Sequence, residues 1–312
     1  MSTASTMSQP SLNYVSCPDA AGGHRMAYWQ WGQPDSAHVV LCVHGLSRQG
    51  RDFDVLAQAL CELAARQPGG IRVICPDVAG RGESDWLKDP MGYQVPDYAA
   101  DMLALLAQLQ AQAPIASLDW VGSSMGGLIG MVLCGQPGLP LPVTVRRLVL
   151  NDVGPTIEWQ AIVRIGAYLG EAGHFSNLKE AADAMWAISK SFGPHTPEQW
   201  LALSRPMLKP VSTAAGSPLR LHYDPAIAVP FKLATEESTR QGEAMLWQLY
   251  DNIKARTLLL RGAQSDLLSP ETARAMTQRG PQAKLLEFAG VGHVPTLIAQ
   301  DQVVAVTSFL LD

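Results

Sequence analysis

The 312-residue chain carries 28 acidic and 23 basic residues, a net charge of −5, and is 47% hydrophobic and 16% charged. That length and apolar content suit one large α/β domain with an insertion, or two domains. With no basic cluster to offset the acidic balance, nucleic acid is excluded as the expected partner. No apolar run approaches the ~18 residues of a membrane-crossing helix.

Five cysteines occur (Cys17, Cys42, Cys61, Cys75 and Cys134). None forms C-x-x-C and no histidines cluster with them, so no zinc site is expected. Their odd number and lack of pattern suit a reducing compartment, and the cytoplasm is the expected location. The Ser/Thr-rich first residues lack a basic start and an apolar h-region, which reads as a disordered leader over 1–12 rather than a signal peptide.

Arg25–Gly32 reads as an early strand. Val39–Val43 is a continuous apolar run, as in a strand buried on both faces, and ends at His44-Gly45-Leu46. Helical spacing over Phe53–Ala65 stops at Pro68-Gly69-Gly70. A strand over Ile71–Cys75 enters the glycine-rich loop Pro76–Ser84, which lacks the spacing of a phosphate cradle. In that loop Asp77 reads as a turn cap. Asp97–Gln112 is an amphipathic helix. A short strand from Leu118, a tight turn and a helix over Met125–Cys134 follow, then a strand over Arg147–Asp152. Residues 153–255 read as a helical cap, with helices near Trp159–Gly170, Leu178–Phe192, Pro197–Leu203 and Thr235–Asn252, and a Pro/Ser-rich loop over Arg205–Pro218. Strand–helix alternation resumes at Thr257–Leu260, Pro270–Gln278, Lys284–Phe288 and Asp301–Leu311. The expected organisation is a core of 13–152 and 256–312 around a cap of 153–255, with a parallel sheet covered on both faces.

The chemistry concentrates at Gly122-Ser123-Ser124-Met125-Gly126. G-x-S-x-G between a strand and a helix describes a nucleophile elbow, with the central residue, Ser124, held out at the sheet edge. Glycines two before and two after relieve the crowding. Ser124 needs a base, and the base an orienting carboxylate. His293, in Gly290-Val291-Gly292-His293 after the last strand, is the candidate base. Asp266, just past the strand Thr257–Leu260, is favoured as the acid because it gives the order Ser…Asp…His; Asp152, also at a strand end, is its rival. Two backbone donors should receive the oxyanion, the Met125 N–H and the Leu46 N–H. The expected substrate pocket comprises His44, Gly45, Trp159, Phe192 and His222. No metal or cofactor is called for.

Together these residues resemble the α/β-hydrolase family. The carriers are His44-Gly45, Pro76-Asp77-x-x-Gly80-x-Gly82-x-Ser84, Gly122-x-Ser124-x-Gly126-Gly127, Gly262-x-x-Ser265-Asp266 and Gly292-His293. The resemblance implies a mostly parallel eight-stranded sheet flanked by helices, a cap inserted after the sixth strand, and the triad Ser124, Asp266 and His293. Serine at the elbow departs from the aspartate of haloalkane dehalogenases and epoxide hydrolases.

The reading is a serine hydrolase acting on small-molecule carboxylic esters, as a monomer or homodimer, with no membrane or nucleic-acid partner. Polyester or oligomeric esters fall within its range. The alternatives are a carbon–carbon bond hydrolase or lactonase of aromatic degradation, for which Arg164, Lys190, Arg205 and Arg220 are candidate carboxylate binders, and a non-catalytic receptor on the same fold.

Overall fold

The computed structural model describes residues 9–312 except 67, 172, 214 and 215. Strands β1 (Ser11–Cys17), β2 (His24–Gly32), β3 (His38–Val43), β4 (Arg72–Pro76), β5 (Ser117–Ser123) and β6 (Val145–Asn151) come first. Between them lie helices α1 (Asp54–Ala64), α2 (Val95–Gln112) and α3 (Met125–Gly135). After β6 the chain forms α4 (Trp159–Gly166), β7 (His174–Phe175), α5 (Leu178–Ser189), α6 (Pro197–Ser204), β8 (Leu208–Pro210), β9 (Leu219–Leu221), α7 (Ala228–Lys232) and α8 (Glu236–Asn252). It closes with β10 (Arg256–Gly262), α9 (Pro270–Gln278), β11 (Lys284–Phe288) and α10 (Gln300–Leu311).

Eight strands form one sheet in the order β1-β2-β4-β3-β5-β6-β10-β11. Pairing is antiparallel from β1 to β2 and from β2 to β4, and parallel from β4 onward. Both faces of the central strands are covered, so side chains of either parity are apolar: Val39, Leu41 and Val43 enter one core cluster, Val40 and Cys42 the other. The first cluster gathers under α2 and α3, the second under α1 and α10. Burying apolar area on both sides of a sheet at about 25 cal/mol per Å² is the main force fixing this register.

Two expectations need correction. The expected leader spans 1–12, but β1 begins at Ser11 and pairs with Gln30 of β2; residues 1–8 lie outside the described residues. The insert is also not wholly helical. β7, β9 and β8 form a small antiparallel sheet, and β8 and β9 replace parts of the expected Arg205–Pro218 loop and its flank. The helices there have clear local causes. Asn177 caps α5 by accepting from the Glu180 N–H, and Thr196 and Thr235 form capping boxes at α6 and α8. Trp200, Met185, Leu203 and Met207 make a separate apolar cluster, and α8 packs on α3.

Candidate active site

The site lies where β3, β5, β6 and β11 end, as expected for an open parallel sheet. β5 leads into α3 through Ser124, whose φ of 51° and ψ of −117° are strained for a residue with a side chain. The turn is tight enough to demand glycine on both sides. A Cβ on Gly122 would lie 2.3 Å from the Gly126 carbonyl oxygen, and one on Gly126 would lie 2.0 Å from that of Val43. Trp120 locks the turn by donating from Nε1 to the Gly126 carbonyl at 3.1 Å. The neighbouring Ser123 is turned aside, its hydroxyl accepting from Asn151 Nδ2 at 2.9 Å.

Ser124 Oγ lies 3.0 Å from Nε2 of His293, and Nδ1 of that ring lies 2.8 Å from Oδ2 of Asp152. Asp152 is fully buried, and its carboxylate also accepts from the Gly262 N–H at 2.9 Å and from Ser265 Oγ at 2.7 Å. The structure therefore brings together Ser124 and His293 as expected, but not Asp266. Asp266 is half exposed and forms a bidentate ion pair with Arg164, at 2.6 and 2.9 Å. The correction has a topological cause. β6 is hydrogen-bonded to β5, so the residue just past β6 stands beside the elbow, whereas β10 lies one strand farther out. Asp152 takes a φ of 56° there and donates its backbone N–H to Leu260 O.

Gly45 stands against Ser124, where a Cβ on it would lie 3.6 Å from Cβ of the serine, and Leu46 lines the same cavity. The peptide carbonyl of Leu46 accepts from Arg81 Nε at 2.8 Å, which fixes its orientation. Met125 opens α3, where helix geometry leaves the first N–H groups without intrahelical acceptors and the dipole favours negative charge.

His44 does not line the cleft over Ser124. It is fully buried, its Nδ1 is 2.7 Å from Gly45 O, and Nε2 accepts from the Val78 N–H at 2.9 Å. Burial, with help from Arg81 and Arg48, pushes it down to about 3, so the ring is neutral. It ties the β3 loop to the β4 loop. Asp77 caps its loop as expected, accepting from Gly50 N, Glu83 N and Trp29 Nε1.

Two cavities meet at Ser124, and both include Leu46 and Ile165 in their walls. One, of about 110 Å³, is lined by Arg48, Arg164, Tyr168, Phe192 and His293 among others. The second, of about 380 Å³, is walled by Met125, Leu128, Ile157, Ile162, Phe231 and further apolar groups, with no charged side chain. Of the expected pocket residues, Gly45 and Phe192 line the first cavity, whereas Trp159 and His222 line neither. His222 instead points toward Glu83, 4.0 Å away. Among the four flagged cations only Arg164 reaches a cavity wall; Arg220 stacks on Trp86. Arg48, which sequence reasoning missed, follows the His44-Gly45 loop, and that position is its only signal.

A strand–serine–helix elbow joined to a buried histidine–carboxylate pair on a mostly parallel sheet defines a hydrolase-type site. The sequence profile described as "Alpha/beta hydrolase family" matches residues 40–306, and the chain belongs to that family. It is 48% identical over 300 residues to the 3-hydroxybutyrate-oligomer hydrolase of Cupriavidus necator, covering 96% of this chain and 97% of that protein. A putative hydrolase from Rickettsia typhi superposes with a TM-score of 0.81 at 27% identity, covering 97% of this chain and 99% of the other. An alpha/beta hydrolase from Novosphingobium aromaticivorans gives 0.79 at 32% identity, with 98% and 99% coverage. Among the described residues, no helix is long and apolar enough to cross a membrane.

Proposed function

We propose that this chain is a serine carboxyl-ester hydrolase whose substrates are short oligoesters of 3-hydroxybutyrate. The observation that carries the reading is the unbroken hydrogen-bond chain Ser124–His293–Asp152. Ser124 Oγ attacks the ester carbonyl while His293 Nε2 takes its proton, and Asp152 holds the ring with Nδ1–H turned inward. The Leu46 and Met125 N–H groups receive the oxyanion, each contributing on the order of 3 kcal/mol to the barrier reduction. His293 then returns the proton to the departing alcohol, and water enters by the same base to release the acid.

The substrate class is supported by the 48% identity to the Cupriavidus necator 3-hydroxybutyrate-oligomer hydrolase. Residues 153–255 serve as the cap: α4 and α5 supply Arg164 and Ile188 to the cavity beside Ser124, Tyr168 comes from just past α4, and the short turn Lys190–Phe192 after α5 supplies Phe192. The free thiols of all five cysteines support a cytoplasmic location.

The test is steady-state hydrolysis of 3-hydroxybutyrate dimer and trimer. Turnover that vanishes in Ser124→Ala supports the reading. Absence of turnover on these and on simple p-nitrophenyl esters would sink it and leave a non-catalytic receptor. Arg48 and Arg164 in the cleft favour one second reading, cleavage of a carbon–carbon bond in a carboxylate-bearing dienoate. Turnover of such a compound without ester hydrolysis would replace the first.

A further inference from the structure

The two cavities at Ser124 differ in charge, and His293 belongs to the walls of only one of them. When the acyl-enzyme forms, the bond from Ser124 Oγ to the carbonyl carbon is made and the ester C–O bond breaks. The alcohol oxygen takes its proton from His293 Nε2, so the leaving group must lie on the His293 side. That side holds Arg48 and Arg164 and has no carboxylate in its walls. The opposite, uncharged side is left for the acyl portion.

Resting on the function proposed above, we infer that Arg48, assisted by Arg164, forms a subsite for the free carboxylate at the end of the leaving alcohol. Cleavage of the last ester bond is then R–CO–O–CH(CH₃)–CH₂–CO₂⁻ + H₂O → R–CO₂⁻ + H⁺ + HO–CH(CH₃)–CH₂–CO₂⁻. In that product the carboxylate carbon stands about 4 Å from the alcohol oxygen. The stem of Arg48 starts close to Ser124: its Cγ would lie 3.9 Å from a Cβ on Gly45, the same position that is 3.6 Å from Cβ of Ser124, and Arg48 lines the same cavity.

Both guanidinium groups are fixed along one edge. Arg48 donates from Nε and Nη2 to Asp52 at 2.6 Å each, and its Nη2 also reaches Leu203 O at 3.3 Å. Arg164 spends Nε and Nη2 on Asp266. Neither aspartate is among the residues that line the cavity, whereas both arginines are; Arg164 also hydrogen-bonds the Tyr168 side chain. Arg48 is further steadied over the Phe192 ring, 6.0 Å from its centroid. A guanidinium already held in place is suited to a carboxylate because little side-chain freedom is lost on binding.

The experiment compares 3-hydroxybutyrate dimer as free acid with its methyl ester, in wild type, Arg48→Gln and Arg164→Gln. Wild type should favour the acid in kcat/KM by about tenfold or more, as for a charge-assisted hydrogen bond. Arg48→Gln should bring that ratio close to one by raising KM for the acid, with the methyl ester as each variant's own reference. Arg164→Gln should lower it in part. The wild-type preference should also shrink as salt rises. Equal rates on the two substrates in wild type overturn the inference while leaving ester hydrolysis intact, as does an acid preference that survives both substitutions. No turnover of either substrate by wild type overturns the inference and the oligoester reading together.

Discussion

Ser265 Oγ donates a 2.7 Å hydrogen bond to Oδ2 of Asp152, the same oxygen that lies 2.8 Å from His293 Nδ1. Ser265 thus positions the carboxylate that holds the His293 ring. It also accepts from the N–H groups of Leu267 and Leu268, so it anchors the loop after β10 as well. Ser265→Ala removes one of the donors holding a fully buried carboxylate. The expected result is a fall in kcat of about tenfold with KM little changed, and a stability loss of about 1 kcal/mol in urea denaturation. An unchanged kcat would mean that the Gly262 N–H alone holds Asp152.

His44 bridges two loops while carrying no charge. His44→Ala strands the Val78 N–H and the Gly45 carbonyl in a buried setting, which costs about 1–3 kcal/mol for each group. The Gly45–Leu46 peptide loosens at the same time, so kcat should fall along with stability. Because its folded value of about 3 lies below the ordinary 6.5, the folded state resists protonation. This contribution to stability is present above pH 6.5 and is lost as pH falls toward 3. A calorimetric comparison with His44→Gln, which has no titrating ring, reads the difference.

His24 works in the opposite direction. It lies between Asp101 and Asp19, at 3.1 and 3.0 Å, and the hydrogen bond to Asp101 leads in raising it to about 9 despite the opposing effect of burial. Here the folded value exceeds the unfolded one, so the added stability is fully present below pH 6.5 and disappears as pH rises through 9. The Tm gap between wild type and His24→Asn should close across that interval. A gap that is constant from pH 6 to 10 would show that the imidazole is not charged in the folded state.

Much of the fold is legible in the chain because the parallel strands are apolar on both faces and the elbow is written in glycine. Both features are imposed by crowding, and crowding leaves residue-type signatures. Ser124 and His293 follow from it. The carboxylate that pairs with His293 is harder to read: Asp152 and Asp266 both follow strands, and both precede His293. What separates them is which strand neighbours β5, a fact of sheet order that the local pattern does not carry. β1 leaves little signal because only Val15 and Cys17 are buried and its apolar residues do not alternate regularly with polar ones. β7, β8 and β9 are two or three residues long, too short to display a period. Arg48 offers only its place after the His44-Gly45 loop, because a cation in a loop is ordinarily solvated and its contacts with Phe192 and Asp52 are a fact of the folded chain.

The most direct test of the proposed triad is kcat on a short ester for Asp152→Asn and Asp266→Asn side by side. Asp152→Asn keeps the shape of the site but removes the charge that stabilises the imidazolium and selects its tautomer, so kcat should fall about 10⁴-fold. Asp266→Asn only weakens a half-exposed ion pair with Arg164, typically worth about 0–1 kcal/mol, and should leave kcat within about threefold of wild type. If Asp266→Asn abolishes turnover and Asp152→Asn does not, Asp152 is not the triad acid and the proposed catalytic geometry is wrong at its centre.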